Sequence, residues 1–290
     1  MPKTKSADRI YFNGQVLTMA EPGARAEAVA TRGGRILAVG PLHVVEALAD
    51  AQTERIDLRG RTMLPGLIDP HSHFPDSGEL GLFQVDLNAP PIGNVTTMAG
   101  MLGRLKARAA ETPPGEWVVG SGYDDTLMAE GRHPTALELD EVSRVHPVWC
   151  VHISGHMGVA NSMALGLSGL TPDAPQPVGG HIHKDPATGA LTGRLDEPSA
   201  MDFVMDLIPG RTAEEFRAVM ARAGQEYAAQ GITCAQNAWA TRPVLDRLLQ
   251  AAAEDRLPIR LIAFPDWRNA LAISEGQESF DPPPGGMLIR

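Results

Sequence analysis

The sequence predicts an α/β protein in which a small β-rich segment precedes a parallel sheet or barrel. Three observations support this fold class. Short β-prone runs separated by turn residues fill residues 8–62. A continuous apolar stretch follows them, and from Thr212 onward helical and strand patterns alternate.

The β-rich segment contains three turn signals. Asn13-Gly14 lies between two β-prone runs, which is the strongest short-range hairpin signal, and Gly33-Gly34 repeats the scheme. A third strand pair is expected to turn at Arg59-Gly60, and residues 43–50 (HVVEALAD) are expected to form a short helix. Hairpins in series favour a small sheet or half-sandwich, so we assign residues 1–62 to an N-terminal β-sandwich segment.

The residue pattern changes after Thr62, from short β-prone runs to a longer apolar stretch. Residues 62–70 (TMLPGLIDP) are continuously apolar, as expected for a parallel strand buried on both faces. Residues 95–110 have a helical pattern that should end before Pro113-Pro114. EWVVGSGYD and HPVWCVHIS are further strand candidates, and the Gly- and Pro-rich residues 171–195 predict a long loop with a hairpin near Asp185.

The C-terminal part has the clearest helix signal. Thr212 with Glu215 forms a capping-box pattern, which predicts a helix over residues 212–230 that ends at Gly231. ITCAQNA follows as a strand, then a helix over 243–254, then LPIRLIAFPD as another strand. The letters MLIR at the end resemble the beginning of one more strand.

Composition narrows the class of partner and compartment. The 290 residues carry a formal net charge of −10, which argues against nucleic acid or an anionic membrane as the main partner. Cys150 and Cys234 both lie in apolar runs, which suggests a reducing compartment. The N-terminus has no apolar core of signal-peptide length, and no run approaches the ~18 apolar residues of a membrane span. We therefore expect a cytoplasmic protein.

Two histidines follow the apolar stretch. His71 and His73 would point to one face of a strand, where two imidazoles at its carboxyl end can bind one metal ion. The chain has nine histidines, enough for a His-x-His pair to arise by chance, so context decides. A second pair, His181 and His183, follows PVGG and is predicted to lie in an exposed hairpin.

Several long, ordered segments carry a family resemblance. DLRGRTMLPGLIDPHSHF resembles the amidohydrolase superfamily, and the rest resembles its amidohydrolase-3, YtcJ-like branch: EWVVGSGYDD, GRHPTALELDEVSRVHPVWCVHISGHMGVANSMAL, TGALTGRLDEPSA and YAAQGITCAQNA. The resemblance implies a small β-sandwich joined to a (β/α)8 TIM-like barrel whose first strand ends in His-x-His. Residues 63–290 would then form an incomplete barrel, with a large insertion over about 75–230 after its first strand.

The resemblance also implies an activity. Members are metal-dependent hydrolases that cleave amide, formamide or cyclic C–N bonds other than peptide bonds, usually with one or two divalent ions, for which we expect zinc. On that pattern His71 and His73 ligate the metal. Asp69 would orient an imidazole from outside the coordination sphere; the alternative is a strand-end turn with Pro70.

Four residues of the insertion are implied to line the substrate pocket. The family's pattern of Gly-His followed by Asn falls on His156 and Asn161, and Asp124 and Glu197 lie in further matching segments. The alternatives are a structural histidine for His156 and an exposed loop for Asp124. The remaining histidines at 43, 133 and 146 are expected to be surface or packing residues.

The family pattern continues past the last residue of this chain. Members carry a lysine on strand four, histidines on strands five and six, and an aspartate on strand eight that acts as general base. We therefore expect a C-terminally truncated chain whose general base lies beyond Arg290. Three interpretations remain: an amidohydrolase completed by residues outside the chain, an inactive remnant, or a ligand-binding module. The expected partners are a small-molecule substrate and either a second copy of the chain or a complementary C-terminal fragment.

Overall fold

The computed structural model describes residues 6–277 and 287–289. These residues form two compact units. One contains residues 6–68 and 231–234, and the other contains the remaining described residues.

The first unit is built from short strands arranged in two sheets. Its elements are β1 (Arg9–Phe12), β2 (Gln15–Leu17), β3 (Arg25–Ala26), β4 (Ala28–Arg32), β5 (Arg35–Gly40), α1 (Leu42–Glu46), β6 (Glu54–Asp57), β7 (Thr62–Met63) and β8 (Leu67–Ile68). The strand orders are β5-β4-β1-β6 and β3-β2-β7. Ile10, Ala28, Ala30 and Val45 form the buried core, which covers one face of the larger sheet with α1.

One of the three predicted hairpins is confirmed. Strands β4 and β5 are antiparallel neighbours, and Gly33 and Gly34 both have positive φ, at +53° and +72°. A two-residue turn of this kind requires positive φ at both central residues, which glycine adopts without a steric penalty.

The hairpins predicted at Asn13-Gly14 and Arg59-Gly60 are wrong. At each position the chain crosses from one sheet to the other, so β1 pairs with β6 and β2 pairs with β7, both in parallel. The two crossings are bonded together, since the Gly60 amide donates to the Asn13 carbonyl over 2.7 Å. Asn13 and Arg59 do have positive φ. The turn residues therefore predicted the backbone conformation correctly. They did not predict which strand each neighbouring strand pairs with.

The second unit contains the remaining elements. They are α2 (Asp76–Phe83), β9 (Val85–Asp86), α3 (Met98–Glu111), β10 (Val118–Tyr123), α4 (Ala136–Asp140), β11 (Val148–His152), β12 (Met157–Ala160), α5 (Ser162–Leu167), β13 (His181–Lys184), β14 (Leu191–Asp196), α6 (Pro198–Met205), α7 (Ala213–Ala229), β15 (Ile232–Ala240), α8 (Arg242–Ala253), β16 (Arg260–Pro265), α9 (Trp267–Ser274) and β17 (Met287–Ile289). The first three residues of β15 belong to the first unit.

The apolar stretch TMLPGLIDP is only partly as predicted. It forms two short strands, β7 and β8, and β8 pairs in parallel with the beginning of β15, as expected. The predicted burial on both faces is wrong, because Leu67 is 49% exposed and Ile68 is 66% exposed. Within the described residues β8 is the end strand of its sheet. It pairs with β15 on one side and has no described strand on its other side.

A six-stranded sheet lies within the predicted insertion, with the order β13-β14-β12-β11-β10-β9. Strands β9, β10 and β11 are parallel, whereas β12, β14 and β13 join antiparallel to their neighbours. The carboxyl ends of β10, β11 and β14 and the amino ends of β12 and β13 therefore lie along one edge of this sheet. Loops at the carboxyl ends of parallel strands are where α/β proteins commonly bind ligands.

The predicted helices and strands of the second unit are confirmed. Helix α7 begins with the capping box, in which the Glu215 amide donates to Thr212 Oγ1 and the Thr212 amide donates to the Glu215 carboxylate. The turn between β13 and β14 follows Lys184, beside the predicted position. The mixed α/β class is confirmed as well. The sheets of the described residues do not close into the predicted barrel.

Candidate active site

The first histidine pair is fixed to strand β15. The Phe74 amide donates to the Gln236 carbonyl over 3.0 Å, and the Ala238 amide donates to the Ser72 carbonyl over 2.9 Å. The Ser72 hydroxyl adds a bond of 2.9 Å to the Gln236 carbonyl. These bonds hold the backbone on both sides of His73 in place.

His71 and His73 themselves are exposed and close together. Their ring centroids are 5.5 Å apart with the planes at 89°. In the described part of the chain, neither imidazole has a hydrogen-bond partner that would compete with a ligand. Desolvation lowers the pKa of His73, and the neighbouring His71 lowers it further. A neutral imidazole with a free nitrogen is the form that binds a metal.

Asp69 contacts the backbone of this pair. Its Oδ1 accepts a hydrogen bond of 3.1 Å from the main-chain amide of His71, two residues ahead. That is an Asx-type turn, in which an aspartate satisfies a nearby backbone donor. The geometry therefore favours the strand-end turn over the alternative in which Asp69 orients an imidazole.

A second group of polar residues lies along the edge of the six-stranded sheet described above, which we call the polar edge. It consists of side chains at the strand ends and in the loops that follow or precede them: Asp124, Asp125, His133, His152, His156, His181, His183, Asp196 and Glu197. One ligand atom from each of Asp124, Asp125 and His152 lies within 4.8 Å of the other two. The amide and the hydroxyl of Thr126 both donate hydrogen bonds to Asp124 Oδ1. The bond from the hydroxyl is the main cause of the lowered pKa of Asp124.

His133 extends this group toward the core. Its Nδ1 lies 3.0 Å from the hydroxyl of the fully buried Tyr123, and its Nε2 lies 3.6 Å from Asp125 Oδ2. Burial lowers the pKa of His133, with the positive charge of Arg194 as the next cause. The sequence prediction that His133 is a surface or packing residue therefore missed its polar contacts. No local motif marked them, because His133 precedes Pro134 in a loop far from either strand end in sequence.

The second histidine pair is also part of the polar edge. His183 Nε2 lies 2.7 Å from Asp196 Oδ2, and the Arg194 guanidinium bonds both Asp196 oxygens. Burial alone would raise the pKa of Asp196, but the bonds from Arg194 and His183 outweigh it and lower the pKa. His181 is exposed, as the hairpin prediction expected, whereas His183 is half-buried.

His156 and Glu197, two of the residues expected to line the pocket, lie in contact with each other. His156 Nδ1 lies 3.0 Å from Glu197 Oε2, and the Glu197 amide donates to the His156 carbonyl over 2.7 Å. Glu197 has a φ of +67°, a strained conformation for a residue with a side chain. The arrangement holds an exposed imidazole in one orientation, with Nε2 pointing away from the carboxylate.

Asn161 has a different environment from the other candidates. It is fully buried, and its Oδ1 accepts hydrogen bonds from the amides of Val148 and Ala164. Its Nδ2 donates to the carbonyls of His146 and Ser143. These bonds cap helix α5 and tie it to β11, so the geometry assigns Asn161 to the scaffold rather than to a pocket surface.

The fold and the geometry of the site define the class of protein. It is an α/β protein with side chains suited to metal and substrate binding at its strand ends. The chain belongs to the amidohydrolase family, whose model matches residues 54–285. It is 36% identical over 203 residues to an N-substituted formamide deformylase of Arthrobacter pascens, a match covering 68% of this chain. It is 32% identical over 227 residues to the Arabidopsis thaliana protein LONG AFTER FAR-RED 3, covering 78% of this chain.

Solved structures agree on the fold. A metal-dependent hydrolase of uncharacterized function from Pyrococcus horikoshii superimposes over 96% of this chain with a TM-score of 0.68 and 22% sequence identity. The chain spans 35% of the deformylase, 37% of the Arabidopsis protein and 52% of the Pyrococcus chain. In the described residues, none of the helices has the length and apolar character needed to cross a bilayer.

Proposed function

We propose that this chain is the His-x-His-bearing part of a metal-dependent amidohydrolase that hydrolyses an amide or formamide C–N bond. One observation carries the proposal. Within the family-matched region, two exposed imidazoles that make no side-chain hydrogen bond to the described residues lie 5.5 Å apart, just after a parallel strand. Ligand sites of barrel enzymes lie at this end of the strands.

The donor set of the first pair fits a divalent metal, and zinc is our proposal. Imidazole nitrogens are ordinary zinc ligands, and His71 and His73 offer two of the three protein ligands that a catalytic zinc takes. When bound, such an ion supplies a water of lowered pKa and polarises the scissile carbonyl. Among the described residues, no third His, Cys, Asp or Glu joins His71 and His73 in a three-ligand group.

The polar edge supplies the substrate contacts in this proposal. His156, fixed by Glu197, offers its outward nitrogen to a carbonyl or amide group of the substrate. The name of the Arthrobacter relative suggests N-substituted formamides as the first substrate class to try. We further propose that the protein works in the cytoplasm and forms either a homo-oligomer or a complex with a complementary C-terminal fragment.

The test combines metal analysis with an assay for formate. The full chain is purified, loaded with Zn²⁺ and incubated with an N-substituted formamide, and bound zinc and released formate are measured. The double variant His71→Ala/His73→Ala should bind about one equivalent of zinc less than the parent and should release no formate. His43→Ala removes an exposed histidine of α1 that belongs to neither the first pair nor the polar edge, and serves as the control.

The two results separate the alternative functions. Zinc bound at His71 and His73 without formate release would favour a ligand-binding module or an inactive remnant over an enzyme. Equal zinc occupancy in the parent and in His71→Ala/His73→Ala would show that the first pair is not the metal site of the proposal.

A further inference from the structure

His152 has a buried nitrogen that makes no hydrogen bond to any of the described residues. The side chain is 8% exposed, and its Nε2 is enclosed. A buried polar atom in this state costs free energy unless something binds it. Asp125 Oδ1 lies 3.1 Å from this nitrogen without the alignment of a hydrogen bond, and Asp124 offers an oxygen within 4.8 Å of both atoms.

One pair of these atoms has the spacing of two ligands on the same metal ion. Two ligands about 2.1 Å from one ion stand roughly 3.0–3.4 Å apart, depending on the coordination angle. The 3.1 Å between His152 Nε2 and Asp125 Oδ1 falls in that range. Both residues follow or end parallel strands, β10 and β11, in the β-sheet register that pairs Tyr123 with His152. The scaffold therefore positions the two donors from adjacent strand ends.

The neighbouring residues can orient both imidazole and carboxylate. Ser154 Oγ lies 2.9 Å from His152 Nδ1, where it can accept the ring proton and leave the lone pair of Nε2 for an ion. The Ser154 amide donates to Nδ1 over 3.1 Å, which favours the tautomer with the ring proton on Nε2 in the ion-free chain. An ion at Nε2 would require the other tautomer, in which Nδ1 carries the proton and donates to Ser154 Oγ. Asp124 is held by the two donors of Thr126.

We propose that Asp124, Asp125 and His152 form a divalent-cation site at the polar edge, independent of His71 and His73. One imidazole and two carboxylates suit Zn²⁺ or Mn²⁺, because nitrogen favours the former and oxygen the latter. His133 Nε2 lies 3.6 Å from Asp125 Oδ2, the carboxylate oxygen that does not face His152, and helps to position the carboxylate. The site does not depend on hydrolase activity.

The experiment uses the full chain in a His71→Ala/His73→Ala background, so that the first pair contributes nothing. Mn²⁺ is titrated and free Mn²⁺ is followed by electron paramagnetic resonance, and Zn²⁺ is titrated by calorimetry. About one equivalent should bind. Asp125→Asn in this background should weaken binding by more than the roughly 10–100-fold that loss of an outer-shell partner causes. Ser154→Ala should weaken it about 10-fold, as expected for a positioning residue.

The matched control is Asp185→Asn, in the turn after β13 at the opposite edge of the same sheet. It should leave the affinity unchanged. Far-UV circular dichroism and the metal-free melting temperature establish that each variant is folded, and Asp124→Asn replaces Asp125→Asn if the latter melts early. The absence of any bound cation in the background would overturn the proposal, as would equal affinity in the background and in the folded Asp125→Asn or Asp124→Asn variant.

Discussion

The Asp196 carboxylate receives hydrogen bonds from two side chains at the polar edge, Arg194 and His183. The pKa of Asp196 is lower in the folded chain, so it contributes stability above its unfolded value of 3.8. That contribution is lost as the pH falls through the folded pKa. Asp196→Asn should therefore destabilise the chain by about 1–2 kcal/mol at pH 7.

This pH dependence is measured as the melting temperature of the parent and of Asp196→Asn between pH 7 and pH 3. The difference should be largest near neutral pH. It should shrink below pH 3.8, where the carboxyl of the unfolded chain takes up a proton while that of the folded chain remains charged. A difference that stays constant down to pH 3 would contradict the charge-based account and indicate a purely steric effect.

Gly158 offers a packing test at the same scale. A Cβ built there would lie 2.2 Å from the ring of Trp149, which is buried and has little space to move. Gly158→Ala should therefore cost about 1–3 kcal/mol or more in the free energy of unfolding, measured by urea denaturation. Gly166→Ala in α5 is the matched control, because its Cβ would meet nothing within 4 Å. Equal effects of the two substitutions would contradict the packing argument.

At the scale of elements, the beginning of α7 makes a quantitative prediction. Thr212 accepts from the Glu215 amide and completes a capping box, whereas Thr241 at the start of α8 makes no side-chain capping bond. Thr212→Ala should cost about 0.5–2 kcal/mol in urea denaturation. Thr241→Ala should cost clearly less, and a cost equal to that of Thr212→Ala would argue against the cap as the source of the effect.

The same scale shows what sequence reasoning reached. The capping box of α7, the Gly33-Gly34 turn and strands β10, β11, β15 and β16 depend on local signals, and each was predicted. The crossings at Asn13 and Arg59 were not predicted. A residue with positive φ indicates a local turn of the backbone, but it does not determine which strands pair on either side of the turn. His71 and His73 follow each other closely in sequence and were found by motif. His133 and Asp125 meet through the path of the connection between β10 and α4, which no local pattern encodes.

At the scale of the whole molecule, the exposed end strand β8 predicts self-association. Its residue Ile68 is 66% exposed, and within the described residues β8 has a strand neighbour on one side, β15. Unpaired strand edges with apolar side chains bind other chains unless charge or cover prevents it. Analytical ultracentrifugation should therefore show association that rises with protein concentration, and Ile68→Lys should reduce it by placing a charge on the edge.

Val178→Lys is the control that separates edge pairing from general repulsion. Val178 is 97% exposed in the loop before β13, so the substitution adds the same charge without altering a strand. It should leave the association constant nearly unchanged. Equal loss of association in both variants would assign the effect to net charge, because the chain already carries −10 and either lysine changes that value equally. A monomer at all concentrations would contradict the edge argument, since the apolar strand would then be tolerated in water as it stands.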